Sequence, residues 1–235
     1  MAKSALHIVT DNHYIIMLSF FTANTIIETV CFAFAVICLV NDNDSTWKSQ
    51  ILYLFITCVA EFSGIYVSRH THNNQWVYNL FILAEAFFTY LMFYKLFKKY
   101  KQGNYLIIGG LALFILFYSF GIEKNGFLTY VGHTYIVISV QFVLYSLYYY
   151  YLLIKDDRYI DLRFSPEFWW VAGTLFFYFA NTTCNLFDDE LYTVIFTPFH
   201  QHLTYFIFKA LNIILYSCWS YSFICKRWLS KTLQS

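Results

Sequence analysis

Apolar residues run along this chain in long stretches separated by short polar gaps. Seven stretches are long enough to cross a bilayer as helices: residues 20–40, 51–68, 76–97, 105–122, 128–154, 166–187 and 198–225. Pro166 and Pro198 suit the first helical turn, where a missing N–H costs nothing, and Ser165 and Thr197 before them suit N-caps. The pattern predicts an all-α membrane protein, a seven-transmembrane-helix bundle. Residues 1–19 are read as an extracytoplasmic N-terminal segment, 20–225 as the transmembrane domain and 226–235 as a basic cytoplasmic tail. In 235 residues the spans leave no room for a separate soluble domain.

Ionisable residues interrupt four of these runs. Lys209 lies deep in the last one, and Glu28, Glu61 and Glu85 lie in the first three. A charge at such a depth costs about 2.5–3.5 kcal/mol on insertion scales, so it needs a partner or a purpose. Each glutamate falls roughly seven to ten residues, a similar rise, from the same end of its run. His202, Tyr205, Lys209, Asn212 and Tyr216 share one helical face, and so do Thr174, Tyr178, Asn181, Asn185 and Asp188. Thr57 lies on the Glu61 side of its helix. These positions predict a polar chamber in one half of the bundle, with Glu28, Glu61, Glu85, Lys209, Asn181, Asn185, Asn212 and Tyr205 as ligand-binding residues. Three carboxylates and one ammonium cannot all stay ionised in a low dielectric. Proton uptake or a bound cation would restore the balance. Pairing of Lys209 with one glutamate, as simple glue between helices, is the bland alternative.

The basic residues orient the chain. Eleven Lys or Arg fall in the gaps after the first, third and fifth runs and in the tail, against three on the opposite side. The positive-inside rule then puts the N-terminus outside and the C-terminus in the cytoplasm, with the chamber facing outward. Residues 188–190, Asp-Asp-Glu, fall outside. The first dozen residues lack an apolar core and a cleavage site, so no signal peptide is expected.

Composition supports a membrane class: 59% hydrophobic against 12% charged residues. A net charge of +1 gives no footprint for a nucleic-acid partner. All six cysteines lie within apolar runs, where they read as small apolar fillers. Only two prolines and eight glycines occur, which favours continuous helices over the broken helices of rocking transporters. His70, His72, His133, His200 and His202 all fall toward the outer side and form a candidate metal set, although His-x-His places two rings on different helical faces.

The Ser-Pro-Glu-Phe-Trp-Trp opening of the sixth run (165–170), the glutamates of the second and third, and Lys226, Arg227 and Trp228 after the seventh resemble small seven-helix membrane proteins of Bacteroidota. The resemblance implies a bacterial inner membrane and no particular activity. Lys209 with Glu85 also resembles the Schiff-base lysine and counterion of rhodopsins. The other residues of that pattern are missing, so retinal is not expected. The histidine-bearing outer face resembles ceramidase-like membrane hydrolases, but Ser68–His70 and His200–His202 have a different spacing. The resulting expectation is a receptor-like or sensory protein. It would bind a small polar or cationic ligand from outside and signal through a separate cytoplasmic or membrane partner. A proton- or cation-coupled transporter, an intramembrane metal hydrolase and a structural subunit of a membrane complex are the alternatives.

Overall fold

A computed structural model describes residues 22–100, 104–157, 161–187, 195–196 and 201–232. Among these residues lie seven α-helices: α1 (Ala23–Leu39), α2 (Ser45–Thr71), α3 (Gln75–Lys99), α4 (Tyr105–Asn125), α5 (Gly132–Ile154), α6 (Pro166–Leu186) and α7 (Leu203–Thr232). Five of them, α2, α3, α4, α5 and α7, are long and apolar enough to cross a membrane, while α1 is a shorter apolar helix of 17 residues. The chain is thus an all-helical integral membrane protein by length and composition of its helices.

Helix ends follow local chemistry. Thr22 caps α1 by accepting from the Thr25 N–H at 3.2 Å, and Asp44 caps α2 through the Thr46 N–H at 3.1 Å. Ser165 caps α6 by accepting from the Phe168 N–H at 3.4 Å, with Pro166 in the first turn as expected. His72 closes α2 in the left-handed conformation (φ 58°), and its N–H donates to the Ser68 carbonyl.

Three helix starts differ from the hydrophobic pattern by four residues or more. Helix α2 starts early, at Ser45 behind its Asp44 cap rather than at 51, and the other two start late. The run beginning at 128 becomes helical only at Gly132. Its first residues form a loop captured by polar side chains near the start of α3: the Asn79 amide donates to the Phe127 and Thr129 carbonyls, both at 2.8 Å, and accepts from the Val131 N–H at 3.1 Å. Gln75 adds an acceptor for the Tyr130 N–H at 3.0 Å. Helix α7 starts at Leu203 rather than at 198, because Gln201 and His202 pair as a minimal antiparallel strand with Ile195 and Phe196. Thr197 and Pro198, read as its cap and first turn, lie outside the described residues. At the other end α7 continues through Lys226, Arg227 and Trp228 to Thr232, so most of the expected tail is helix.

Helices α1, α2, α3, α5, α6 and α7 form a closed ring, with α7 returning to pack between α6 and α1. Helix α3 is the most enclosed: 56% of its apolar span is buried, against 11% for α4. Helix α4 leans on the outside of α3 and α5, held by hydroxyl-to-backbone bonds such as Tyr145 to the Leu106 carbonyl at 2.7 Å. Its outward face, with Ile108, Leu116 and Phe120 each about 60% exposed, is suited to acyl chains rather than water. Small residues allow the closest packing. A Cβ at Gly173 of α6 would lie 2.8 Å from the Cβ of Cys218 and 3.2 Å from the Leu215 carbonyl on α7.

One end of the bundle carries a charged cluster. Lys95 of α3 pairs with Asp44, Lys226 of α7 lies 3.8 Å from Asp42 and 3.7 Å from Asp44, and Lys99 reaches Glu167 of α6 at 3.5 Å. Arg227 donates to the Ile37 carbonyl at 2.8 Å. This basic end ties the α1–α2 turn to α3 and α7, and separately joins α3 to α6.

Candidate functional site

A cavity of about 150 Å³ lies between α1, α2, α3, α5, α6 and α7, in the half of the bundle away from the basic end. Glu28, Glu61 and Glu85 all line it, and Asn212 joins them from α7. Three acids widely separated in sequence therefore meet, because α1, α2 and α3 are consecutive neighbours in the ring and each carries its glutamate at a similar height.

The partners of the three carboxylates differ. Glu85 is 5% exposed and accepts from the Tyr178 hydroxyl at 2.5 Å, a short contact. Glu61, partly buried, accepts from the Tyr78 hydroxyl at a long 3.4 Å. Glu28 is 6% exposed; Glu61 and Tyr216 are its electrostatic neighbours, and its Oε2 has no hydrogen-bond partner among the described residues. A buried carboxylate oxygen without a donor is costly, so this atom marks a place where a donor belongs.

Aromatic side chains make most of the rest of the wall. Tyr53, Tyr78, Phe81, Tyr135, Phe177, Tyr178 and Tyr216 line the cavity beside Thr57, Ala60 and Leu215, and among the described residues no Lys, Arg or His does. On the side toward the basic end the cavity meets a sealed floor. Trp170 and Trp219 stack at 5.5 Å and 7°, and both are buried to within 1%. Tyr53 and Tyr216 pack on Trp219 at 5.8 and 5.9 Å, and Tyr178 packs on Phe142 at 5.0 Å. The Trp219 indole is fixed by donation to the Trp170 carbonyl at 3.2 Å and to Thr174 Oγ1 at 3.3 Å.

On the far side two further hollows adjoin it. One, of about 370 Å³, shares Tyr78, Phe81, Glu85 and Tyr135 with the cavity and reaches Gln75 and Tyr130 near the helix ends. The other, of about 550 Å³, is lined by Tyr130, His133, Tyr135, Asn181, Asn185 and Phe208. Tyr135 borders all three, at the boundary between the cavity and its approaches.

The expected site residues therefore separate. Glu28, Glu61, Glu85 and Asn212 line the inner cavity. Asn181 and Asn185 line the neighbouring hollow, where the Asn181 amide donates to Ser139 Oγ at 3.3 Å and that of Asn185 to the Asn181 carbonyl at 2.8 Å. Lys209 and Tyr205 line neither. The Lys209 ammonium lies 3.9 Å from the centre of the Tyr205 ring, and it forms no ion pair among the described residues. The inner cavity thus gathers the three glutamates and Asn212, while the Lys209 ammonium lies against Tyr205. Lys209 sits one turn before Asn212, and side chains on a helix lean toward its N-terminus, which carries the amine over Tyr205. Tyr53, Tyr78 and Tyr135 were not expected at the site. The spacing Tyr53–Thr57–Glu61 and Tyr78–Glu85 places each pair on one helical face and was the available signal.

Among the candidate metal residues, His70 Nδ1 contacts the Tyr66 carbonyl at 2.8 Å, His72 is an exposed helix cap and His133 is exposed beside the larger hollow. The backbone of His202 lies in the short strand pair, and His200 is outside the described residues. Among the described residues no three His, Cys, Asp or Glu side chains gather closely enough to hold a metal ion. No known protein family, curated protein or solved structure matches the chain.

Proposed function

We propose that this chain is a receptor-like membrane protein that takes a small polar or cationic ligand into the glutamate- and tyrosine-lined cavity. In this reading all seven helices span a bacterial inner membrane, with the N-terminus outside, the basic end in the cytoplasm and the cavity reached from outside. The observation that carries it is the convergence of three carboxylates on a cavity with no basic residue in its wall among the described residues. Such a site binds a positive or strongly donating guest better than it tolerates being empty.

The stacked Trp170–Trp219 floor supports a receptor over a transporter, since a permeation path would have to pass through this fixed aromatic layer. In this reading a signal would pass to a partner at the basic end. The charged cluster there joins α7, which also lines the cavity, to the α1–α2 turn.

Thermal melting of the purified protein against a panel of amines, amino acids and neutral polyols tests the proposal. A subset is expected to raise the melting temperature, and Glu61→Gln and Glu85→Gln are expected to weaken that response. A flat response across the whole panel, identical in wild type and variants, overturns it.

A further inference from the structure

The cavity has a polar end and an apolar body, and their chemistry narrows the guest. This argument rests on the proposed ligand-binding reading of the same cavity. Among the described residues Glu85 already has a close donor in Tyr178, whereas Glu61 has only the distant Tyr78 hydroxyl and Glu28 Oε2 has none. Glu28 and Glu61 are electrostatic neighbours, so the deficit of hydrogen-bond donors is concentrated on adjacent carboxylates of α1 and α2.

A quaternary ammonium would supply charge without N–H groups and would leave these oxygens unbonded. A neutral alcohol would supply one donor and no charge. A primary ammonium supplies both, with three N–H groups on one nitrogen. Beyond the acids, the rings of Tyr53, Phe81, Tyr135 and Phe177 offer an apolar wall. A cavity of about 150 Å³ holds a guest of roughly benzene size.

We infer that the site recognises a compact primary ammonium, its N–H groups shared between Glu28 and Glu61 and an apolar body of about six carbons held against the aromatic wall. The same headgroup chemistry occurs on a free amine and on the ammonium of phosphatidylethanolamine. In the lipid case only the headgroup and its adjoining carbons would enter.

Cyclohexylammonium is the direct probe, with cyclohexanol as its neutral match and tetramethylammonium as a cation without N–H. Melting and calorimetric titration of the full chain in detergent should show binding of cyclohexylammonium only. Glu28→Gln and Glu61→Gln should each weaken it by roughly tenfold or more, the loss expected for a hydrogen bond to a charged group. Glu61 is the less buried of the two, so Glu61→Gln keeps the test available if Glu28→Gln does not fold. A second arm compares nanodiscs of phosphatidylcholine alone with nanodiscs that also contain phosphatidylethanolamine. Stabilisation by phosphatidylethanolamine that both substitutions abolish, without a response to the free amine, assigns the same ammonium site to the lipid.

Preferential binding of cyclohexanol or tetramethylammonium overturns this inference and leaves the ligand-binding reading standing. So does cyclohexylammonium binding that neither substitution changes. Silence of every probe, the lipid and the wider panel of amines, amino acids and polyols overturns both.

Discussion

At the scale of single residues the cavity separates two kinds of buried carboxyl group. Glu85 is held in place by Tyr178, while Glu28 keeps one oxygen without a donor among the described residues. The first arrangement stabilises the bundle, and the second leaves an acceptor that a guest would satisfy in the proposed reading. Tyr178→Phe removes the hydroxyl without changing the ring that packs on Phe142. It should cost about 1–3 kcal/mol of stability, read as a lowered melting temperature in detergent, because Glu85 loses its donor inside the core. An unchanged melting temperature would show that Glu85 finds another partner at no cost. Lys209 belongs to a third class, since its amine rests on the Tyr205 face rather than on an acid. Lys209→Met should therefore leave amine binding within about twofold of wild type, well below the tenfold loss expected for a glutamate substitution. A loss as large as that of Glu61→Gln would put the ammonium back among the acids.

At the scale of helices, close approach between α6 and α7 fixes the floor under the cavity. Gly173 lies where these helices come nearest, one position before Thr174, which holds the Trp219 indole. Gly173→Leu should force α7 outward and cost about 1–3 kcal/mol or more, with a red-shifted tryptophan emission as Trp219 loses its packing. Equal stability and an unshifted spectrum would mean that the helices are not in contact there. The existence of these helices was legible in the sequence because apolar runs stand out against polar gaps. Their starts were less so. Leu128 reads as the beginning of a span, yet Asn79, which is fully buried, captures the loop backbone on either side of it from another helix. No local pattern reports such a tertiary bond. The glutamates were legible because a carboxylate is anomalous in an apolar run. The tyrosines around them were not. The chain has 22 tyrosines, many of them packed as ordinary core rings, so residue type alone gives no contrast. The direction of Lys209 was also hidden, because a helical stripe fixes where a side chain starts and not where a long flexible one ends.

At the scale of the molecule, the ring of helices gives the two ends opposite chemical characters. At one end Asp42 and Asp44 on the α1–α2 turn join Lys95 and Lys226, and Lys48, Lys98 and Lys155 lie at the ends of α2, α3 and α5 on the same side of the bundle. At the other, polar hollows bordered by Asn, Gln and Tyr lead to the buried acids. The positive-inside rule acts on basic residues in short loops, and the gaps here are short. Under the proposed orientation the α1–α2 turn faces the cytoplasm and the α2–α3 turn the outside, and an external ligand would then reach Tyr135 and the cavity behind it. Asn43 and Asn73 are exposed residues on those two turns. Cysteine placed at 73 should react in intact cells with a membrane-impermeant maleimide, above the background of the six native thiols. Cysteine at 43 should react only after permeabilisation. The reverse pattern would turn the cavity toward the cytoplasm, and the ligand would then have to be an internal metabolite rather than an external signal.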